Sequence, residues 1–156
     1  MNPGFRLELG LSQGSYPYQY DVLQHIPKDM PITFYNGKMT YRARFQTYNL
    51  PPSAQEMKRQ GYKVGMCASP EETMWYQPFR APQYCKLLAG EAQDLGLDYT
   101  LFEFYPSPIA QDFNAQALAE FLWNASGRTP EEFTISWATR QRLDNPEETA
   151  AIIALL

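Results

Sequence analysis

Cysteine and histidine are scarce in this chain. Its 156 residues hold two cysteines, Cys67 and Cys85, and a single histidine, His25. Zinc fingers, CxxC redox motifs and most His/Cys metal sites need more such ligands at short spacings, so they are excluded. A disulfide across the 18 positions between the cysteines stays open, without a framework of further cysteines to support it. Positive charge is also short. Thirteen Lys and Arg against 17 Asp and Glu leave a net charge of −4, which gives no attraction to a phosphate backbone or an anionic bilayer. Neither nucleic acid nor a membrane is therefore an expected partner. Long hydrophobic runs are missing too. The longest strictly apolar stretch, Ala150 to Leu156, is seven residues, well below the ~20 that a membrane-spanning helix needs. No basic start followed by an apolar run occurs in the first thirty residues, so no signal peptide is expected and the cytoplasm is the default location. No phosphate-binding glycine loop, dinucleotide fingerprint or Ser-His-Asp order is present, and no cofactor is expected.

The chain is rich instead in apolar residues (44%), in proline (13) and in aromatics, including 11 tyrosines, enough for a packed core or an aromatic-lined cleft. Phe5 to Leu11 alternates, with Phe5, Leu7, Leu9 and Leu11 on one face and Arg6 and Glu8 on the other, which predicts a strand. Tyr20 to Ile26 reads as a short helix stopped by Pro27. A second strand, ITFY from Ile32 to Tyr35, runs into the turn Asn36-Gly37. The same Asn-Gly admits a hairpin that would pair ITFY with MTYRARF. Pro51-Pro52-Ser53 opens a helix through Gln60, stopped by Gly61, and Lys63 to Ala68 forms the next strand. A loop with Glu71, Glu72, Trp75 and Tyr76 leads to Pro82 and a helix carrying Cys85, Leu88, Ala89, Ala92 and Leu95 at helical spacing, capped by Gly96. Tyr99 to Tyr105 is the fourth strand.

Strands starting near 5, 32, 63 and 99, joined by helices, repeat a βα unit of about thirty residues and predict a parallel α/β sheet. One strand face is apolar (Leu7/Leu9, Ile32/Phe34, Val64/Met66, Phe102/Phe104), while Glu8, Thr33, Tyr35, Lys63 and Glu103 occupy the other. An open sheet covered on both sides would read as continuous apolar runs. The alternation favours a partial (βα)8 TIM-like barrel of about four βα units followed by C-terminal helices. The partial barrel spans residues 1–113 and a helical segment packed on it spans 114–156. In that segment Ala115, Leu118, Ala119 and Leu122 share a face. Thr129-Pro130-Glu131-Glu132 carries a capping box for a helix through about Arg142, and Asn145-Pro146-Glu147-Glu148 repeats the start signal. Trp123 and Trp137 read as core, and His25 as a surface or capping residue. Four strands are half of the eight that a closed barrel needs. The expectation is a chain cut from a longer protein that continues upstream and downstream, with a homodimer joined through open sheet edges as the alternative if the chain is complete. A small flavodoxin-like α/β domain, which would be complete as it stands, is the competing fold.

The stretches LGLDYTLFEFYPSP and AQALAEFLWNASGRTPEEFTISWATR resemble the final strand and following helices of glycoside-hydrolase-like barrels related to α-glucuronidases and β-hexosaminidases. The matching residues are Ala119-Glu120, Trp123-Asn124 and Thr129 to Phe133. Thr129 stands where the pattern has serine, and one extra residue precedes the Glu-Phe pair. IPKDMPITFYNGKMTY looks like a strand entered from a Pro-Lys-Asp junction in such barrels. The resemblance covers less than half of the chain and implies a barrel that acts on carbohydrate. It transfers no catalytic residue, because in several of these families the acid/base carboxylates follow middle strands.

The candidates come from position. Glu103 opposes Phe102 and Phe104 near the carboxyl end of its strand, where barrel active sites assemble. It reads equally well as a buried ion pair with Arg6 or Lys63. Glu8 lies on the matching face of the first strand, so Glu8 and Glu103 form a candidate catalytic pair for glycoside hydrolysis, which needs two carboxyl groups about 5 to 9.5 Å apart. Trp75, Tyr76 and Tyr105 follow strands and are candidates to stack on a sugar ring, or else they cover the barrel rim. Tyr35 and Asn36 are placed to bind hydroxyls, although Asn36-Gly37 is fully explained as a turn. The function expected is a glycoside-hydrolase-like barrel fragment contributing part of a sugar-binding cleft, with no metal. A non-catalytic carbohydrate-binding or scaffold module is the alternative.

Overall fold

The structure, a computed structural model, describes residues 6–12, 18–35, 52–68, 81–102 and 108–155. In chain order these form β1 (Leu9–Ser12), α1 (Gln19–Leu23), β2 (Ile32–Tyr35), α2 (Pro52–Arg59), β3 (Val64–Ala68), α3 (Ala81–Asp94), β4 (Tyr99–Phe102), α4 (Pro108–Trp123), α5 (Pro130–Arg140) and α6 (Pro146–Leu155). The four strands make one parallel sheet in the order β1-β2-β3-β4. Parallel neighbours taken in sequence, joined by crossovers of one hand, place the connecting helices on the same face. The core bears this out: Leu11, Ile32, Phe34, Val64 and Met66 pack in one cluster with Leu23, Ala54, Met57, Cys85 and Leu88 of α1, α2 and α3. The α/β class and the parallel sheet expected from the βα repeat are therefore present.

The pairing corrects one expectation. Both edges of β2 are occupied, by β1 and by β3, so ITFY has no edge left for a hairpin partner. The described sheet also has no reversal of strand order, the point at which flavodoxin-like sheets bind their ligand. The boundary drawn at 113/114 falls inside α4, whose Phe113, Ala117, Leu118 and Phe121 belong to the same core as the strands.

Helix ends follow local chemistry. Gly61 (φ 85°) and Gly96 (φ 59°) take the left-handed conformation just past α2 and α3. There the Tyr62 and Leu97 amides donate back to Met57 and Ala92, closing Schellman turns that lead directly into β3 and β4. Past α5, Arg142 (φ 58°) holds the equivalent position while the Leu143 amide donates to Ala138, so α5 stops at Arg140 rather than near Arg142. At its start the expected capping box is complete: the Glu132 amide donates to Thr129 Oγ1 at 3.1 Å, and the Thr129 amide donates to Glu132 Oε2 at 2.7 Å.

Asp98 ties three elements at the amino end of the sheet. Its Oδ2 accepts from the Val64 amide at 2.7 Å and from Lys58 Nζ at 2.9 Å, while its own amide donates to the Val64 carbonyl at 2.9 Å. Partial burial raises its carboxyl, but the hydrogen bonds from Lys58 and Val64 outweigh that and hold it below its ordinary value. A carboxyl depressed in the folded state contributes stability above its unfolded value of about 3.9, and that stability is lost as pH falls through the folded value. Asp98→Asn is therefore expected to flatten the acid limb of a stability profile taken by urea denaturation from neutral pH to about pH 3. Equal acid sensitivity in both proteins would show that Asp98 does not carry the effect.

Candidate functional site

With helices on one face, the other face of the sheet is where a barrel would place its interior. The register sets Gly10, Thr33, Gly65 and Tyr99 side by side in one row of that face, and Ser12, Tyr35, Cys67 and Leu101 in the row nearer the carboxyl ends. The opposite face carries Leu11, Phe34, Met66 and Thr100. The alternation read from sequence thus separates the sheet's two surfaces.

A hydrogen-bonded trio crosses the first row. Thr33 is buried, and its hydroxyl donates to Glu8 Oε1. The Tyr99 phenol lies 2.8 Å from Thr33 Oγ1 and 3.3 Å from Glu8 Oε1, with its single proton directed at this pair. Tyr99 stands on β4 and Thr33 on β2, so the ring passes over the whole width of β3. Gly65 makes that passage possible: a Cβ there would lie 2.4 Å from Tyr99 Cε2. Burial, opposed by the Thr33 hydrogen bond and reinforced by the Glu8 carboxylate, pushes the Tyr99 phenol up to about 12. Tyr99 accordingly keeps its proton at neutral pH and can donate it to Thr33 or Glu8.

Glu8 precedes β1, and the trio gathers at the amino end of the strands. In barrels that end serves stability, and chemistry collects at the carboxyl end. Of the residues expected at the carboxyl end, only Tyr35 is described, partly buried on β2. Tyr84 of α3 is buried at 2% exposure. Its phenol is held protonated far above the ordinary value by that burial, with Cys85, Glu91 and Tyr35 adding to it. Glu103, Trp75, Tyr76, Tyr105 and Asn36 lie outside the described residues, and with Glu103 so does its separation from Glu8.

No sequence motif marks Thr33, Gly65 and Tyr99 as site residues. The one available signal is a glycine inside an otherwise apolar strand, which indicates close approach by another group. His25 is exposed, in keeping with a surface residue. The two cysteines are not joined as a disulfide: Cys85 sits in the helical core, where burial drives its thiol far up, and Cys67 lies on the opposite face of the sheet. Among the described residues no group of three His, Cys, Asp or Glu side chains is placed to hold a metal ion. Nor is any described helix long and apolar enough to cross a membrane.

Comparison with family models, with curated proteins and with solved structures gives no match. The residues behind the sequence resemblance have local structural roles. Glu120 accepts two hydrogen bonds from the Arg128 guanidinium, at 2.6 and 2.9 Å, and Lys86 of α3 donates to the Arg128 carbonyl at 2.8 Å. Asn124 ends α4, its carbonyl accepting from the Gly127 amide at 3.0 Å. Trp123 is a correction: expected in the core, it is 90% exposed, whereas Trp137 packs edge-on against Phe113 with ring centroids 4.6 Å apart.

Proposed function

We propose that the chain forms one half of a carbohydrate-active (βα)8-type barrel and supplies one wall of a sugar-binding cleft at the carboxyl ends of its strands. The observation that carries this reading is the sequential parallel sheet with helices on one face; among the described residues no helix packs on the other, which carries Thr33, Tyr35, Tyr99 and Glu8. Doubly wound sheets cover both faces and have no such surface. The carbohydrate part of the reading rests on the resemblance carried by Ala119-Glu120, Trp123-Asn124 and Thr129 to Phe133, and on the aromatics Trp75, Tyr76 and Tyr105 that follow the strands. Glu103 is the candidate acid/base group, and Glu8 is assigned to positioning because Thr33 and Tyr99 hold it at the amino end.

That same engagement of Glu8 favours a second reading, a sugar-binding or scaffold module without a working carboxylate pair. Calorimetry with glucuronide and N-acetylhexosaminide oligosaccharides, together with release assays on the aryl glycosides, tests both. Binding that Trp75→Ala weakens, with turnover that Glu103→Gln lowers a hundred-fold or more, supports the enzyme. Binding without turnover supports the module. No binding to any of these sugars overturns both.

A further inference from the structure

We propose that the amino end of α2 holds a phosphate group, free or carried by a small ester, with the Ser53 hydroxyl and the amides of Ser53 and Ala54 as its donors. The site stands at the carboxyl ends of the strands, on the same rim as the cleft proposed above, and the chemistry that defines it is independent of the sugar.

Helix direction sets the location. Lys58, in the last turn of α2, reaches Asp98 at the amino end of the sheet, Nζ to Oδ2 at 2.9 Å, and the chain then turns at Gly61 into β3. Eight helical residues rise about 12 Å, close to the ~13 Å of a four-residue strand, so the first turn of α2 stands level with the carboxyl ends of β2 and β3. That turn is buried and short of acceptors. Ser53 is 5% exposed and Ala54 1% exposed. Pro52 has no N–H, and the amides of Ser53 and Ala54 precede the first carbonyl that the helix could offer them. Among the described residues no acceptor meets either amide, and Ser53 Oγ has no hydrogen-bond partner. Each Cα–Cβ bond of a helix tilts toward its amino end, which sets the Ser53 hydroxyl beside the free amides. Three buried donors thus share one open helix turn. Buried polar groups in folded proteins are satisfied, so the set calls for an acceptor from outside the described residues.

Charge selects the acceptor. α2, α3 and α4 all begin at the carboxyl end of the sheet: α3 ends at Gly96, just before β4, and Trp123, the last residue of α4, lines a groove with Leu97 and Tyr99 at the start of that strand. None of the three carries an acidic residue in its first turn. The helices that follow the sheet do the opposite. α5 opens on Glu131 and Glu132 and α6 on Glu147 and Glu148, and in each a side-chain oxygen, of Thr129 or Asn145, accepts from a first-turn amide. A helix start carries about half a positive charge, which carboxylates offset in α5 and α6 and no first-turn residue offsets in α2. Its complement is an anion rather than a water or a peptide carbonyl, both of which are neutral. Two amides and a hydroxyl offer separate donors to the several oxygens of a phosphate, a group that helix starts bind by this means. The net charge of −4 acts at long range and does not set the potential within a hydrogen bond of a helix start.

Calorimetric titration of the full chain at constant ionic strength, with inorganic phosphate, glucose 6-phosphate and glucuronate as separate probes, tests this. The two phosphates are expected to bind, and the tighter of them tells a free ion from an ester. Ser53→Ala removes one donor and leaves no buried hydroxyl unpaired. It is expected to keep the far-ultraviolet circular dichroism of the wild type while weakening phosphate about ten-fold or more, the size of a lost charge-assisted hydrogen bond. Ser53→Asp puts a carboxylate at the same helix start, where the dipole favours it, and is expected to abolish phosphate binding. A wild-type protein that binds neither phosphate at up to about 20 mM, or phosphate binding indifferent to both substitutions, overturns the proposal. So does glucuronate that binds through Ser53 while phosphate does not. Ser53-dependent phosphate binding by a protein that takes none of the glucuronide or N-acetylhexosaminide sugars would leave this inference standing and remove the carbohydrate reading; sugar binding without phosphate binding would do the reverse.

Discussion

Phe133→Ala is expected to destabilise the protein by about 3–5 kcal/mol, the range for removing a fully buried aromatic ring. Phe133 is 1% exposed and is the point at which α5 meets α4. Its ring lies 5.6 Å from that of Phe113 and 5.8 Å from that of Phe121, both at the tilted angles that aromatic quadrupoles favour. Its ring partners Phe113 and Phe121 are themselves buried in the core, so removing the ring leaves a cavity between packed side chains. A domain of ordinary stability holds about 5–15 kcal/mol, so the substitution removes a large share of it. Trp123→Ala is the matched control: it deletes a larger ring from the end of the neighbouring helix and is expected to change the stability of a single copy by less than about 0.5 kcal/mol. Urea denaturation of the two variants under conditions where each is monomeric checks the pair. Equal losses would mean that the exposed indole packs in solution in a way the fold does not show.

The contrast between these aromatics shows what a sequence pattern carries. Phe133 and Trp137 are legible because the Thr129 capping box fixes the phase of α5, and spacing of three and four then assigns its faces. Trp123 follows Leu122 at the end of α4, where Asn124 turns the chain and no following turn of helix fixes which side faces inward. The βα repeat is legible for a similar reason: prolines and glycines punctuate each unit, and Gly61 and Gly96 stop their helices in the left-handed conformation. Where an arginine does that work, at Arg142, the sequence pattern puts the end of α5 about two residues late. The Thr33–Tyr99–Glu8 trio is hidden for a different reason. Its members are 25, 66 and 91 positions apart in pairs, and only the register of four strands brings them together. Alternation is also silent about strand ends. It assigns Glu8 to the polar face, but a period of two does not say whether a residue stands at the amino or the carboxyl end of the finished sheet.

Gly65→Ala should break the trio. The added methyl would stand 2.4 Å from Tyr99 Cε2 and 2.6 Å from Cδ2, well inside any tolerable contact, with the sheet backbone preventing retreat on one side. The ring has to lift from β3, and the expected cost is about 1–3 kcal/mol, the range for an extra methylene forced into a packed site. Once lifted, the phenol re-enters water and leaves Thr33, so its pKa is expected to fall from about 12 toward the ordinary value of about 10. The linkage has a definite sign. A phenol raised in the folded state contributes stability that is whole below about pH 10 and is lost as pH rises through about 12. Wild type should therefore weaken across that alkaline window more steeply than either Gly65→Ala or Tyr99→Phe. Gly10→Ala supplies the control in the same row, since a Cβ at Gly10 meets nothing within 4 Å. Adding Tyr99→Ala to Gly65→Ala should recover most of the steric loss, because the clash needs both side chains. Ultraviolet titration of the phenol, with Tyr99→Phe subtracted, reads the shift directly. If Gly65→Ala left that titration and the alkaline stability unchanged, the ring would not lie across β3 in solution, and Glu8 would lose the contacts that assign it to positioning.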